Sequence, residues 1–170
     1  MIKQDTSENQ VKSIYLGIGS NLGNKKDNIE KAKFSLIKED IKILSSSSYY
    51  ESLSWPDPKN PKFQNIVIQV STNLKPLELL KKCKEIEKAL GRVKSDKNSP
   101  RECDIDIIDY NKIQIHSKII LPHPRMHVRN FVLLPLFEIN KDWSHPKSKL
   151  HIKRLILALP IRDITSIKQI

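Results

Sequence analysis

Apolar residues recur along this chain at two spacings, and where the spacing changes the secondary structure is expected to change. Ser13 to Ile18 alternates around Ile14, Leu16 and Ile18, which predicts a first strand. A glycine-rich turn, Gly17 to Gly23, follows it. Asn24 to Lys38 carries Ile29, Ala32, Phe34, Leu36 and Ile37 at helical spacing. Ile41 to Glu51 alternates loosely through a run of serines and ends in Tyr49-Tyr50, giving a second strand. Ser52 to Lys62 holds Trp55 among Pro56, Pro58 and Pro61 and reads as a loop. In Phe63 to Ser71, the residues Phe63, Asn65, Val67 and Gln69 face away from Gln64, Ile66, Ile68 and Val70, giving a third strand.

The clearest helix is Lys75 to Leu90. Pro76 opens it, Leu77, Leu80, Cys83, Ile86, Ala89 and Leu90 form its stripe, and Gly91 stops it. Val93 to Ser99 is polar and reads as a mobile loop, and Cys103 to Tyr110 is an isoleucine-rich strand. Asn111 to Ile120 suits a hairpin, Phe131 to Ile139 a short helix broken at Pro135, and Leu150 to Leu159 a last helix closed by Pro160. Residues 1–11 are expected to be a flexible arm, 12–160 a single domain, and 161–170 a tail with no assigned structure. The order strand–helix–strand–strand–helix–strand predicts an α+β fold with a ferredoxin-like core. Its antiparallel sheet would carry helices on both faces, in three α/β/α layers.

Chemistry concentrates between Gly91 and Phe131. Alternation puts Asp104, Asp106 and Ile108 on one face of their strand, and Cys103, Ile105, Ile107 and Asp109 on the other. Two neighbouring carboxylates on an apolar strand either lie in solvent or share a cation that relieves their repulsion. Oxygen-only ligands favour a hard ion such as Mg²⁺, which takes phosphate oxygens as further ligands. Of the six arginines in the chain, Arg92, Arg101, Arg125 and Arg129 fall in this stretch, whereas the twenty-four lysines are dispersed. Arginine kept where lysine is the general surface cation points to a planar grip on an oxyanion. Paired acids among clustered arginines suggest a metal–polyphosphate site. Trp55, Phe63 and Asn65 gather at one loop mouth, either as a site for a flat heterocycle or as a plug at the core edge. The turn from Gly17 to Gly23 lacks the Gly-Lys-Ser/Thr of a phosphate-binding P-loop. It needs either special backbone angles or close approach to a neighbour.

A net charge of +11 over 170 residues suits an acidic ligand, nucleic acid or polyphosphate. Cys83 and Cys103 are too few for a disulfide scaffold and lack metal-site spacing, so both read as packing residues in a reducing compartment. Met1 to Lys12 does not read as a signal peptide, and no apolar run approaches membrane-spanning length. A soluble, cytoplasmic protein with no membrane partner is expected.

The segments Gly19-Ser20-Asn21-Leu22-Gly23, Phe63-Gln64-Asn65, Glu87 to Val93, Pro100 to Ile107 and Leu121 to Ile139 together resemble the 6-hydroxymethyl-7,8-dihydropterin pyrophosphokinase family. They occur in family order over most of the chain. The resemblance implies transfer of pyrophosphate from ATP to a pterin alcohol in folate biosynthesis, with AMP released. It implies that Asp104 and Asp106 hold two Mg²⁺ ions and that Arg92 and Arg101 engage the ATP phosphates as catalytic residues. His123 and Arg129 would meet the triphosphate, with Glu87 and Ile107 near the nucleotide. Phe63 and Phe131 would sandwich the pterin, Asn65 would contact its ring, and the backbone of Ser52, Leu53 and Trp55 would read its edge. The resemblance implies a monomer that takes pterin and ATP and no nucleic acid. Association with other folate-pathway enzymes is compatible with the family, although the chain is too short to include a second one. Lys97-Asn98-Ser99 stands where the family often has Arg-Trp-Gly, Lys94 where arginine is common, and Val128 where Glu is common. These departures bear on closure and affinity rather than on the chemistry. An Mg-dependent nucleotidyltransferase would carry its Gly-Ser and Asp-x-Asp close together, and a basic ferredoxin-like RNA-binding domain would carry an aromatic-rich strand. Neither pattern is present.

Overall fold

The structure is a computed structural model and describes residues 13–93 and 99–170. The predicted arm 1–11 and most of the predicted mobile loop, residues 94–98, lie outside the described residues. A six-stranded antiparallel sheet organises the rest, with strand order β5-β1-β4-β3-β8 and β2 also paired to β4. Its strands are β1 (Ile14–Ser20), β2 (Lys42–Ser46), β3 (Tyr50–Ser52), β4 (Phe63–Ser71), β5 (Asp104–Tyr110) and β8 (Lys168–Gln169). A two-stranded hairpin of β6 (Ile115–His116) and β7 (Ile120–Leu121) follows β5, as the sequence predicts.

The helices α1 (Lys25–Lys38) and α2 (Pro76–Ala89) cover one face, packing Ile29, Ala32, Leu36, Leu79, Cys83 and Ile86 on the inward residues of β1, β4 and β5. The helices α3 (Asn130–Ile139) and α4 (Ile152–Leu157) cover part of the other face around Tyr15, Val67, Ile108 and Trp143. This is the expected three-layer, ferredoxin-like arrangement. Each side chain of Ile or Leu buried in these clusters contributes roughly 1.5–3 kcal/mol, so the alternation of β1 and β4 fixes the layers. Both long helices start as their sequence predicts. Asn24 Oδ1 accepts from Asp27 N at 3.2 Å, and Pro76 opens α2 while Glu78 Oε2 accepts from Lys75 N at 2.7 Å.

Four expectations need correction. The strand expected over Ile41 to Glu51 divides into β2 and β3, both paired to β4. Ser47 sits between them and substitutes side chain for backbone: its Oγ accepts from Val67 N at 3.0 Å while its own N donates to Val67 O at 2.9 Å. Second, Gly17 and Gly19 are strand residues of β1, not turn residues. Of the three glycines from Gly17 to Gly23, Gly23 alone takes a left-handed angle, with φ +66°. Third, α3 runs unbroken through Pro135, whose lost backbone donor is outweighed by burial of Val132, Leu133 and Leu136. Fourth, a bulge interrupts β5: Leu16 pairs with Ile107 but Tyr15 pairs with Asp109. Ile108 and Asp109 therefore both reach the α3 side, where Asp109 Oδ2 accepts from Trp143 Nε1 at 2.9 Å and Oδ1 from Lys112 N at 2.9 Å. Burial pushes the Asp109 carboxyl up, and these two bonds oppose the shift without cancelling it.

The tail folds back. Helix α5 (Ile161–Ser166) leads to β8, which pairs with β3 through Tyr50–Gln169 and Glu51–Lys168, and Ile170 N donates to Tyr49 O at 2.9 Å. Deleting residues 167–170 is expected to speed amide exchange over 49–52 by about tenfold or more while leaving central β1 unchanged. Unaltered exchange over 49–52 would show that pairing with β4 and the contacts of Glu138 hold the segment without β8. That carboxylate accepts from Ser48 N at 3.0 Å and from the Tyr50 hydroxyl at 2.8 Å.

Candidate active site

The face of β1, β4 and β5 left uncovered by α3 and α4 is the floor of a cleft of about 470 Å³. Gly17 and Gly19 make that floor flat. A Cβ on Gly19 would stand 2.9 Å from Asn65 Oδ1 and 3.3 Å from the Phe63 ring, so only hydrogen fits there. On β5, Asp104 lies opposite Gly19 and Asp106 opposite Gly17, and both carboxylates line the cleft, as the alternation predicts. The glycines thus clear space above the strand that carries the acids.

Each acid is met by arginine. Asp104 Oδ1 accepts from Arg92 at 2.6 Å and Oδ2 from Arg101 at 2.7 Å. Burial alone would push the Asp104 carboxyl up, but the guanidinium groups of Arg101 and then Arg92 outweigh it and hold the carboxyl below its ordinary value. Asp106 Oδ2 accepts from Arg129 at 3.2 Å and lies 3.7 Å from His123 Nε2. Burial lowers the His123 pKa; Asp106 opposes this, while Arg129 and Arg125 add to it, so the imidazole is neutral near pH 7. The Nε atoms of Arg101 and Arg129 are buried with no hydrogen-bond partner among the described residues. Two unsatisfied donors on the cleft arginines suit an incoming anion.

Glu87 lies beneath these pairs, 2% exposed. Its Oε2 accepts from Arg92 at 2.5 Å, and its Oε1 from Ile105 N at 2.7 Å and Lys84 Nζ at 2.7 Å. It holds Arg92 from below and does not line the cleft. Phe63, Asn65, Ser52, Trp55 and Phe131 line the other end of the cleft. Asn65 Nδ2 donates to Ser52 Oγ at 2.9 Å, which fixes the orientation of its amide. The guanidinium of Arg101 lies over the Phe63 ring at 5.2 Å, and that of Arg129 over both Phe131 and Trp55 at 5.4 Å, so the charged end and the aromatic end share a boundary.

Four predicted residues do not line the cleft: Glu87 and His123 stand behind Arg92 and Arg129, which they contact, and the side chains of Ile107 and Leu53 turn away. The side chain of Ile107 is packed in the core beneath α1 and α2, because odd positions before the bulge face that way. That of Leu53 is 41% exposed and lies off the cleft wall. Lys84, Ser99, Arg125 and Val132 line the cleft without having been assigned to it from the sequence. Arg125, 5.1 Å over the Trp55 ring, had its clustering as a signal; Lys84 had none. Among the described residues no group of three or more His, Cys, Asp or Glu side chains is arranged to enclose a metal. No helix among them is long and apolar enough to cross a membrane.

A family model described as 7,8-dihydro-6-hydroxymethylpterin-pyrophosphokinase (HPPK) matches residues 15–141. The chain belongs to the HPPK family. Among curated HPPK-related proteins, it is 40% identical over 135 residues to the 2-amino-4-hydroxy-6-hydroxymethyldihydropteridine pyrophosphokinase of Aquifex aeolicus, covering 79% of this chain and 84% of that protein. It is 43% identical over 148 residues to the folic acid synthesis protein FOL1 of Dictyostelium discoideum, covering 86% of this chain. The chain spans only 22% of that relative's length. An HPPK-DHPS crystal structure from Plasmodium falciparum superposes with a TM-score of 0.74 at 16% identity, covering 96% of this chain and 50% of that one. At that identity the likeness speaks for the fold alone, and it agrees with the ferredoxin-like HPPK core.

Proposed function

We propose that this chain transfers pyrophosphate from ATP to the hydroxymethyl group of 6-hydroxymethyl-7,8-dihydropterin and releases AMP, a step of folate synthesis. The observation that carries this reading is the meeting, in one cleft, of the Asp104–Asp106 pair and its arginines with an aromatic end bounded by Phe63, Asn65 and Phe131. A flat heterocycle at the aromatic end would bring its hydroxymethyl oxygen toward the arginines that grip the triphosphate. That oxygen attacks the β-phosphorus, and the bond from the β-phosphorus to the bridging oxygen of AMP breaks. Arg92, Arg101 and Arg129 offset the charge on the transferred group. Phe63 and Phe131 hold the ring, Asn65 reads its polar edge together with the backbone of Ser52 to Trp55, and His123 supplies a hydrogen bond near the phosphates.

Asp104 and Asp106 fit Mg²⁺ by donor type, since both offer hard carboxylate oxygens and leave most coordination positions to water and phosphate. When bound there, Mg²⁺ would neutralise the triphosphate and favour the alkoxide form of the alcohol. The thiols of Cys83 and Cys103 are free and buried, each pushed up to about 12 by burial, which suits a reducing cytoplasm.

Incubation with ATP, Mg²⁺ and the pterin alcohol tests the reading. AMP formed in step with the pterin pyrophosphate is expected. Pyrophosphate release would mean nucleotidyl transfer instead, and no turnover would reject both. Phe131→Ala is expected to weaken pterin binding by about 1–3 kcal/mol, the scale of base–aromatic stacking, with little change for nucleotide. Calorimetry showing equal losses for the two ligands would make Phe131 a packing residue.

A further inference from the structure

Asn21, just after β1, is 2% exposed and does not line the cleft. All of its described polar contacts reach segments distant in sequence. Its Oδ1 accepts from Arg101 N at 2.8 Å, and its own N donates to Arg101 O at 3.1 Å. Its Nδ2 donates to Pro61 O at 3.1 Å. The first two bonds hold both backbone groups of Arg101, the residue whose guanidinium binds Asp104 and lies over Phe63. The third holds the end of the proline-rich loop that starts at Ser52 and carries Trp55, just before Phe63 enters β4.

We propose that Asn21 is a positioning residue that sets the phosphate-gripping Arg101 and the pterin-reading loop at a fixed distance from each other. This rests on the reaction proposed above and assigns a part in it to a side chain that touches neither substrate. The chemistry of the amide suits the task. The carbonyl oxygen accepts from one segment while the amide nitrogen donates to the other, and no other side chain of this size offers both at that separation. The reaction needs nucleophile and phosphorus aligned closely, so a slack of a fraction of an ångström between the two ends of the cleft is costly. With Asn21 buried, water is poorly placed to substitute for either bond.

The two halves of the amide can be separated. Asn21→Asp keeps an acceptor for Arg101 N but loses the donor to Pro61 O, whereas Asn21→Ala loses both. In Asn21→Ala the Arg101 amide is expected to exchange at least about tenfold faster, kcat to fall about tenfold or more, and the pterin KM to rise about tenfold. In Asn21→Asp one end of the tether is cut, so the pterin KM should rise by a similar factor, about tenfold, while kcat falls only about threefold, less than in Asn21→Ala, because Arg101 keeps its partner and stays protected. Equal losses of kcat and of pterin KM in both variants, tracking their melting temperatures, would overturn the proposal and leave Asn21 a stability residue. Unchanged kinetics in Asn21→Ala would overturn it as well. Failure of the wild-type protein to form AMP would instead reject the assigned reaction. In that case, exchange at Arg101 and across 58–62 in the two variants still decides whether Asn21 holds the two segments together.

Discussion

Replacing Asp104 or Asp106 by Asn is expected to lower AMP formation by about 100-fold or more, the scale seen when one preorganised charge-stabilising group is removed. Both carboxylates face the cleft, and neither packs in a core cluster. Arg92 and Arg101 are partly exposed, so the ion pairs lost in Asp104→Asn cost about 1 kcal/mol or less each in stability and lower Tm by only a few degrees in a domain of about this size. Arg129 is buried, so Asp106→Asn costs more, about 1–3 kcal/mol, limited by the amide oxygen that Asn still offers it. Arg92 keeps Glu87 as a partner in the Asp104 variant, which further limits the damage. Activity at or near the wild-type level in either variant, with normal melting, would remove these residues from the metal and phosphate chemistry. The same pair of variants measures how the two sites differ, since Asp104 holds two arginines and Asp106 one.

The second large effect is on stability and lies beneath the cleft. Glu87→Ala is expected to destabilise the fold by about 3 kcal/mol, because it leaves the Ile105 amide without its acceptor and releases Arg92. Glu87→Gln keeps an oxygen for Ile105 N and should cost about half as much. Chemical denaturation of the two variants separates the contributions. Equal destabilisation would assign the whole effect to charge, and no destabilisation in Glu87→Ala would mean that solvent replaces the carboxylate.

The fold was legible wherever one face of a strand is apolar. Ile14, Leu16 and Ile18, and Ile66, Ile68 and Val70, point to the α1–α2 layer as their spacing requires. The same reasoning put Asp104 and Asp106 together in the cleft, and the scarcity of arginine singled out Arg92, Arg101 and Arg129. It failed at Asp109, because a bulge adds one residue without a local mark and reverses every assignment beyond it. It failed at Ile41 to Glu51, because a serine hydroxyl can take the place of a carbonyl in the ladder. Gly17 and Gly19 stood out by their rarity, but the reason for them is a neighbour on the next strand. Asn21 could not be read at all, since the partners of its side chain lie 80 and 40 residues away.

The ion pairs within the cleft make its two kinds of ligand depend on each other. Asp104 holds Arg92 and Arg101, and Asp106 holds Arg129. A polyanion that takes the arginines strips the carboxylates of their countercharge, and a cation that takes the carboxylates does the same to the arginines. Either one alone leaves partly buried charge of a single sign behind it, whereas both together replace every broken pair. Their binding is therefore positively coupled. By reciprocity, the factor that the cation adds to the affinity for the anion is the factor that the anion adds for the cation. On the reaction proposed above, the cleft would act as a coincidence gate: it would discriminate against bare nucleotide and bare metal by the same free energy, held in the arginine–aspartate pairs.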